Sequence, residues 1–410
     1  MRKFIPLFII AISTCFCLSA QNPTSISLGS GYANQSFYSF SNGEILNVDN
    51  SNWDLAFSLE GFSATIRTND GKGVELYTYH LGDTSSWSMI NNSSSSSLTQ
   101  PMYNSDTSWT IGAFDQNQLG HPDYGWGVYN QSTHYVVGDS LFIVKTVNGN
   151  WKKLWIESLT VSGEYLFKYA NLDGSDLQSN SILKSSYSGK HFVYFSLDQN
   201  AILDREPLST EWDITFTKYI TPVMGMAYGV TGVLSNTGIK VAKALNIGSA
   251  ATYSDYSSHS FETEMNTIGY DWKSYQGGAY VLDPSRCYFV KDFNQNIWKI
   301  YFTGFDGMST GNIEFNTELL SSTSIDYHSN FSRFNLYPNP AKEEVTIIID
   351  AKEQEAEIEI FDLSGKLIFN ENVLGGFKAY NLNLSSYQKG FYVLAVTING
   401  VKSQKKLVIQ

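Results

Sequence analysis

Asn52-Trp53-Asp54-Leu55-Ala56-Phe57 and Glu211-Trp212-Asp213-Ile214-Thr215-Phe216 are one strand written twice. In the first, Trp53, Leu55 and Phe57 alternate with Asp54, Ala56 and Ser58, the period of two that a half-buried strand requires. An aromatic run precedes each, Phe37-Tyr38-Ser39-Phe40 and Phe192-Val193-Tyr194-Phe195. Tyr124-Gly125-Trp126 with Tyr129 returns as Tyr270-Asp271-Trp272 with Tyr275. Val144-Lys145, Asn150 and Lys153-Leu154-Trp155-Ile156 return as Val290-Lys291, Asn296 and Lys299-Ile300-Tyr301-Phe302. The last two blocks share a spacing of 146 residues (124 to 270 and 145 to 291). Two motifs in constant register mark a duplication, so the chain has to build two like units. The copies are placed at about 24–180 and 181–328.

Each copy reads as extended. Leu141-Phe142-Ile143-Val144 is a short buried run, and Val147-Asn148-Gly149-Asn150 is a hairpin turn before Trp151 to Ile156. No amphipathic helix longer than two turns is found. Aromatic residues are 15% of the chain and charged residues only 16%, which suits sheets bearing large side chains. The expected fold class is all-β, with two tandem antiparallel domains. The Trp-Asp pairs lie 159 apart (53 to 212), so copy one holds extra residues, and these coincide with Asn91-Asn92-Ser93-Ser94-Ser95-Ser96-Ser97. Such a stretch has no apolar area to offset its ordering entropy and is expected to be a flexible surface loop.

Residues 335–410 change character. Glu355-Ala356-Glu357-Ile358-Glu359-Ile360 alternates strictly, Leu363-Ser364-Gly365-Lys366 makes a turn, and Asn399-Gly400 between Phe391–Ile398 and Val401 is a strong hairpin signal. Val345 to Ile349 and Asn381 to Leu384 add further strands, about six or seven in all, enough for a small immunoglobulin-like β-sandwich. Four landmarks run in order: Tyr337-Pro338-Asn339-Pro340, the turn around Gly365, Lys389-Gly390-Phe391-Tyr392, and the basic end Lys405-Lys406. This pattern resembles the C-terminal sorting domain of type IX secretion cargo in Bacteroidetes-type bacteria. The resemblance implies reading by the export machinery and removal by a sortase during attachment to surface lipopolysaccharide. The other reading is a generic immunoglobulin-like adhesion module.

Arg2-Lys3, the apolar run Phe4 to Leu18 and Leu18-Ser19-Ala20 before Gln21 make residues 1–20 a signal peptide. The run is shorter than the roughly 18 to 20 residues of a span, so the protein is not expected to be integral to a membrane. Cys15 and Cys17 lack the triplet that lipoprotein processing needs. Signal removal leaves Cys287 alone, so the fold rests on packing and not on disulfides. A net charge of −12 without a Lys/Arg cluster excludes nucleic acid and anionic lipid surfaces as partners.

The order of aromatic strand, Trp-Asp-Leu/Ile-x-Phe, Thr68-Asn69-Asp70-Gly71 (Ser235-Asn236-Thr237-Gly238 in copy two), Tyr-x-Trp-x-x-Tyr and Phe-Ile-Val-Lys hairpin is similar to the HmuY-like haem-binding family. That resemblance implies an all-β surface protein capturing haem, in some members through two axial histidines. Iron needs one or two soft ligands above an apolar and aromatic surface. His121 and His134 fit best, because they bracket Tyr124, Trp126 and Tyr129; Met224, Met226 and His259 are the alternatives. At the offset of 146, His121 and His134 meet Thr267 and Tyr280, so these ligands are not duplicated. Met224 and Met226, two Met around a Gly in a strand, read more often as core filling than as ligands. Asp54 and Asp213, each beside a strand Trp, read as structural hydrogen-bond acceptors.

Enzyme signatures are missing. There is no Gly-x-Ser-x-Gly, no His-Glu-x-x-His, no phosphate loop and no Cys pair, so neither catalysis nor a metal beyond haem iron is expected. A carboxylate pair for glycoside hydrolysis stays open, since such groups meet in space. The expectation is a secreted or cell-surface binding protein capturing haem or another hydrophobic ligand. The alternative is an adhesin or glycan binder that keeps the fold without ligating haem, since exposed Tyr and Trp suit such recognition.

Overall fold

The computed structural model describes residues 22–322, 334–350, 355–373, 377–398 and 401–410. The expected signal peptide, with Cys15 and Cys17, and the Asn399-Gly400 turn lie outside the described residues. The architecture is all-β and antiparallel: the helical segments described are 3-10 turns of three to six residues.

The sheets cut across the division at residue 180. The aromatic strand Asn34–Ser39 pairs with the second Trp-Asp strand Ile214–Val223, with Tyr38 opposite Ile214. Its counterpart Phe192–Ser196 pairs back with the first Trp-Asp strand Leu55–Ser58, with Phe195 opposite Leu55. Each copy therefore lends its aromatic strand to the other. The opening strand Asn22–Ser27 follows suit and lies along Asn312–Ser321. A repeat identifies equivalent segments without naming their partners. Where two equivalent Trp-Asp strands exist, either offers the same ladder.

The first half of the molecule combines two sheets. One holds seven strands, among them Glu75–Thr78, Phe142–Lys145, Trp151–Leu159 and Glu164–Asn171; the other is ordered Ala201–Leu203, Phe192–Ser196, Leu55–Ser58, Ile66–Thr68. Between them lie Phe57, Ile66, Trp126, Phe167 and Phe195, all buried. The second half pairs a four-stranded sheet (Met226–Ser235, Ile214–Val223, Asn34–Ser39, Gly43–Asp49) with a five-stranded one running from Asn22–Ser27 to Lys240–Ala244. Tyr38, Phe216, Trp272, Phe302 and Phe315 fill it.

The Trp-Asp motif fastens the exchange. Asp54 accepts backbone N–H bonds from Val147 (2.8 Å) and Leu197 (2.7 Å), and Asp213 accepts one from Phe40 (2.7 Å). Asn69 donates to the carbonyls of Asn50 and Trp53, and Asn236 to those of Ser209 and Trp212. The repeated carboxylate is thus an acceptor for main-chain donors, as its place beside a strand Trp suggests. Burial pushes Asp54 up to about 6 and Asp213 up to about 7.

The halves meet closely. A Cβ on Gly71 would fall 2.0 Å from the Lys218 carbonyl oxygen, so only glycine fits there. Trp109 reaches across to donate its indole N–H to the Ser235 carbonyl at 2.8 Å. The polyserine segment is more ordered than its composition suggests. Asn92–Ser97 forms a 3-10 turn capped by Asn91, and its flanks pack Trp87 and Leu98 beside buried Ile90, Leu141 and Ile143. The Lys153 ammonium donates to the Trp87 and Ile90 carbonyls at 3.1 Å each. The apolar residues around the serines, not the serines themselves, order the segment.

Residues 334–410 form two further sheets, Phe334–Tyr337, Glu344–Asp350, Phe377–Asn383 and Leu367–Val373, Ala356–Phe361, Gly390–Ile398, Val401–Ile409. They close on a core of Val345, Ile347, Ile358, Ile360, Leu394 and Leu407, consistent with an immunoglobulin-like sandwich.

Candidate functional site

His134 closes the hairpin Gly127–Asn130 with Tyr135–Gly138, and exposed His121 lies in the turn Gly120–Asp123 that precedes it; both reach Tyr129. Tyr129, half-buried against the first core, stands between their roles: its hydroxyl lies 2.7 Å from His134 Nδ1, and its ring centroid is 5.2 Å from that of His121. Tyr124 meets His121 edge-on at 6.2 Å. His134 holds a left-handed backbone conformation (φ 59°) in the turn between the two strands. Here two imidazoles and two phenols share an open face.

The alternative ligands separate. Met224 and Met226 sit at the tip of the hairpin Ile214–Val223 with Met226–Ser235, Met224 95% exposed, which overturns the core-filling reading. The turn lifts the tip beyond any packing face, so the chemistry of the side chain does not decide its burial. His259 instead accepts or donates to Tyr253 at 2.9 Å through Nε2 and lies against Phe289.

Other large apolar side chains are exposed on the same half. Tyr228, on the same hairpin, is 60% exposed. The neighbouring hairpin Lys273–Gln276 with Ala279–Leu282 carries Tyr275, 67% exposed, packed at 5.1 Å on Tyr280. Tyr280 in turn covers Phe305 at 4.6 Å, and exposed Met308 follows in the next turn. Lys273 ties the hairpins at their base, donating to the Thr231 and Tyr270 carbonyls from above the Trp272 ring. Its ammonium, desolvated there, falls to about 7. Exposed Met and Tyr of this kind are the side chains that recognition surfaces use. Alternation marks single residues as outward-facing, but the packing of Tyr275 on Tyr280 and of Tyr280 on Phe305 requires the fold.

A third cluster escapes the motif search because its members are scattered. His191 is buried between Glu60 Oε1 and Asn236 Oδ1, each at 2.6 Å from a ring nitrogen. Asn236 spends its N–H groups on two carbonyls, so its oxygen must face the ring. Both imidazole nitrogens therefore donate, and His191 is an imidazolium. Its pKa is raised: burial opposes charge, but the Glu60 hydrogen bond, the Glu206 and Glu60 charges and Asn236 together outweigh it. Buried Glu206 accepts from the His191 and Phe192 backbone and from Tyr194 Oη. With Glu60 on the first half and Asn236 on the second, the ring clamps the junction. Beside it, a cavity of about 60 Å³ is lined by Trp53, Arg67, Asp70, Trp109, Tyr194 and Tyr219.

In the tail, Asn339 donates to the Lys406 carbonyl (2.7 Å) and accepts from Val408 N–H (2.9 Å), fixing the Tyr337-Pro338-Asn339-Pro340 entry to the last strand. Gly365 takes φ 83° in its turn, Gly390 opens the strand Gly390–Ile398, and Lys405 bonds Asn335. Among the described residues no helix is long and apolar enough to cross a membrane, and no group of three or more His, Cys, Asp or Glu is placed to hold a metal ion.

Residues 335–410 match the family described as the secretion system C-terminal sorting domain. No curated protein matches the chain. Among solved structures, dimeric latent PorU from Porphyromonas gingivalis is similar, at 12% identity over 68% of this chain and 31% of that one. The TM-score is 0.16, a likeness that carries no argument. The tail is a type IX sorting domain. The protein is accordingly secreted or attached at the outer-membrane surface, and it meets the type IX machinery on its way.

Proposed function

We propose that this is a surface binding protein of the adhesin or glycan-binding kind, taking its ligand on the exposed end formed by Met224, Met226, Tyr228, Tyr275, Tyr280 and Met308. The observation that carries this reading is the exposure of those Met and Tyr side chains on two hairpins that Lys273 joins through the Thr231 carbonyl. Aromatic rings there offer contact area at low entropic cost and can stack on sugar or peptide. The test is binding of the full secreted chain to a glycan array and a panel of extracellular proteins. Changing Tyr228, Tyr275 and Tyr280 together to Ser should lower any affinity found by at least about tenfold, since interface anchors each carry over ~1 kcal/mol. Unchanged binding by that variant would remove the assignment.

Haem capture is the second reading, favoured by His121 and His134 gathered on Tyr129 and by the HmuY-like order of motifs. A porphyrin would lie on the open face: the junction cavity of about 60 Å³ is far below the roughly 300 Å³ of a small-molecule pocket. A haemin titration decides it. A saturable Soret shift lost on changing His121 and His134 together to Ala supports an iron-ligating site, and a shift no larger than a control protein's eliminates it. Catalysis forms no part of either reading. Glu60 and Glu206 converge on buried His191, where they hold the ring and its strand.

A further inference from the structure

Three of the four tail landmarks, as far apart as 43 residues (363 to 406), line one groove of about 480 Å³. Leu363 comes from the turn, Phe391, Tyr392 and Val393 from the strand start, and Lys405 and Lys406 from the basic end. The pairing explains the convergence. Gly390–Ile398 runs antiparallel to Val401–Ile409 with Val393 opposite Lys406, and Leu394, Val396, Leu407 and Ile409 occupy the core face. Phe391, Val393 and Lys406 therefore project from the other face of the sheet. Leu363 is 75% and Phe391 52% exposed, so neither is retained by the demands of the core. The Lys406 ammonium stands 5.3 Å over the Phe391 ring, and Asp362 shapes the Leu363 turn by accepting from Ser364 and Lys366 N–H. The fourth landmark braces the groove from the side, through Asn339 on Lys406 and Val408. In a chain of net charge −12, this is a basic rim around an apolar floor.

We propose that this groove is the surface by which the export machinery reads the domain, and that it takes an extended machinery segment carrying a carboxylate beside an apolar or aromatic side chain. The carboxylate pairs with Lys406, and the apolar group fills the space between Leu363, Phe391 and Val393. The proposal rests on the sorting-domain match and is independent of the ligand bound elsewhere.

The test uses the full chain expressed in a bacterium with a type IX system, following its partition between periplasm and surface. Leu363→Ser with Phe391→Ser, and separately Lys406→Glu, should each reduce surface protein at least about tenfold, the loss of one interface anchor or charge pair. Lys406→Arg should export normally, and Ile368→Ser, an exposed change on the same sheet outside the groove, should too. Melting curves of the purified variants separate misfolding from failed recognition, with Lys406→Glu decisive because its side chain is exposed. Wild-type export of both groove variants overturns the proposal. Normal export of Lys406→Glu alone overturns the carboxylate partner.

Discussion

A fragment cut at the repeat boundary should fail where one cut at the sheet boundary succeeds. Residues 24–180 contain copy one as the sequence defines it, yet lack the strand Phe192–Ser196 and Leu197. The first core would lose Val193, Phe195 and Leu197, each essentially inaccessible to solvent. At about 1.5–3 kcal/mol per fully buried side chain, that is about 5–9 kcal/mol, against a net stability of order 5–15 kcal/mol for a domain. Asp54 would also lose the Leu197 donor and its own bond to the Phe195 carbonyl. Residues 24–49 would meanwhile keep Ile26, Phe37, Tyr38 and Phe40 with nothing to pack on, because their partners lie in 214–223 and 312–321. Residues 50–206 keep every strand of both first-half sheets. Urea unfolding followed by tryptophan fluorescence and near-ultraviolet circular dichroism should give a cooperative transition for 50–206 and none for 24–180. A cooperative transition of equal midpoint for 24–180 would refute the exchange.

Two further outcomes follow from the junction. His191, with its folded pKa raised, adds stability fully present below the unfolded value of about 6.5 and lost as pH rises through the folded value. His191→Gln should therefore destabilise the fold most in mild acid, by about 1–3 kcal/mol for the stranded Glu60 and Asn236 acceptors, with the melting-temperature gap to wild type closing in alkali; a gap constant with pH would show that His191 is not an imidazolium. Gly71→Ala should cost about 1–3 kcal/mol or more, because the backbone facing it at Lys218 cannot rotate aside, and a melting curve superimposable on wild type would contradict the contact.

The Trp-Asp alternation, the tail strands and the acceptor roles of Asp54 and Asp213 were legible in the sequence, because each depends on near neighbours or on a residue type that strands favour. The strand exchange was not. Phe37-Tyr38-Ser39-Phe40 carries the same pattern whichever Trp-Asp strand it joins, and the choice is made by crossings far along the chain. His191 was invisible for the same reason: Glu60, Glu206 and Asn236 belong to separate segments, and Asn236 faces it only across the exchange. His121 and His134 were legible as neighbours of Tyr129, being within eight residues of it in the chain. Met224 and Met226 were misjudged as possible core because periodicity does not report how far a hairpin outruns its sheet.

The strand Asn312–Ser321 is the last one before the segment that leads to the sorting domain, and it lies between Asn22–Ser27 and Ile297–Phe305. A protein held at the cell by its distal end and pulled through a ligand takes the load on that strand first. Because ladders flank it on both sides, force along it must shear two rows of hydrogen bonds together, where an edge strand would peel one bond at a time. In a molecule attached through that end, the strand Asn22–Ser27 would act as a mechanical splint.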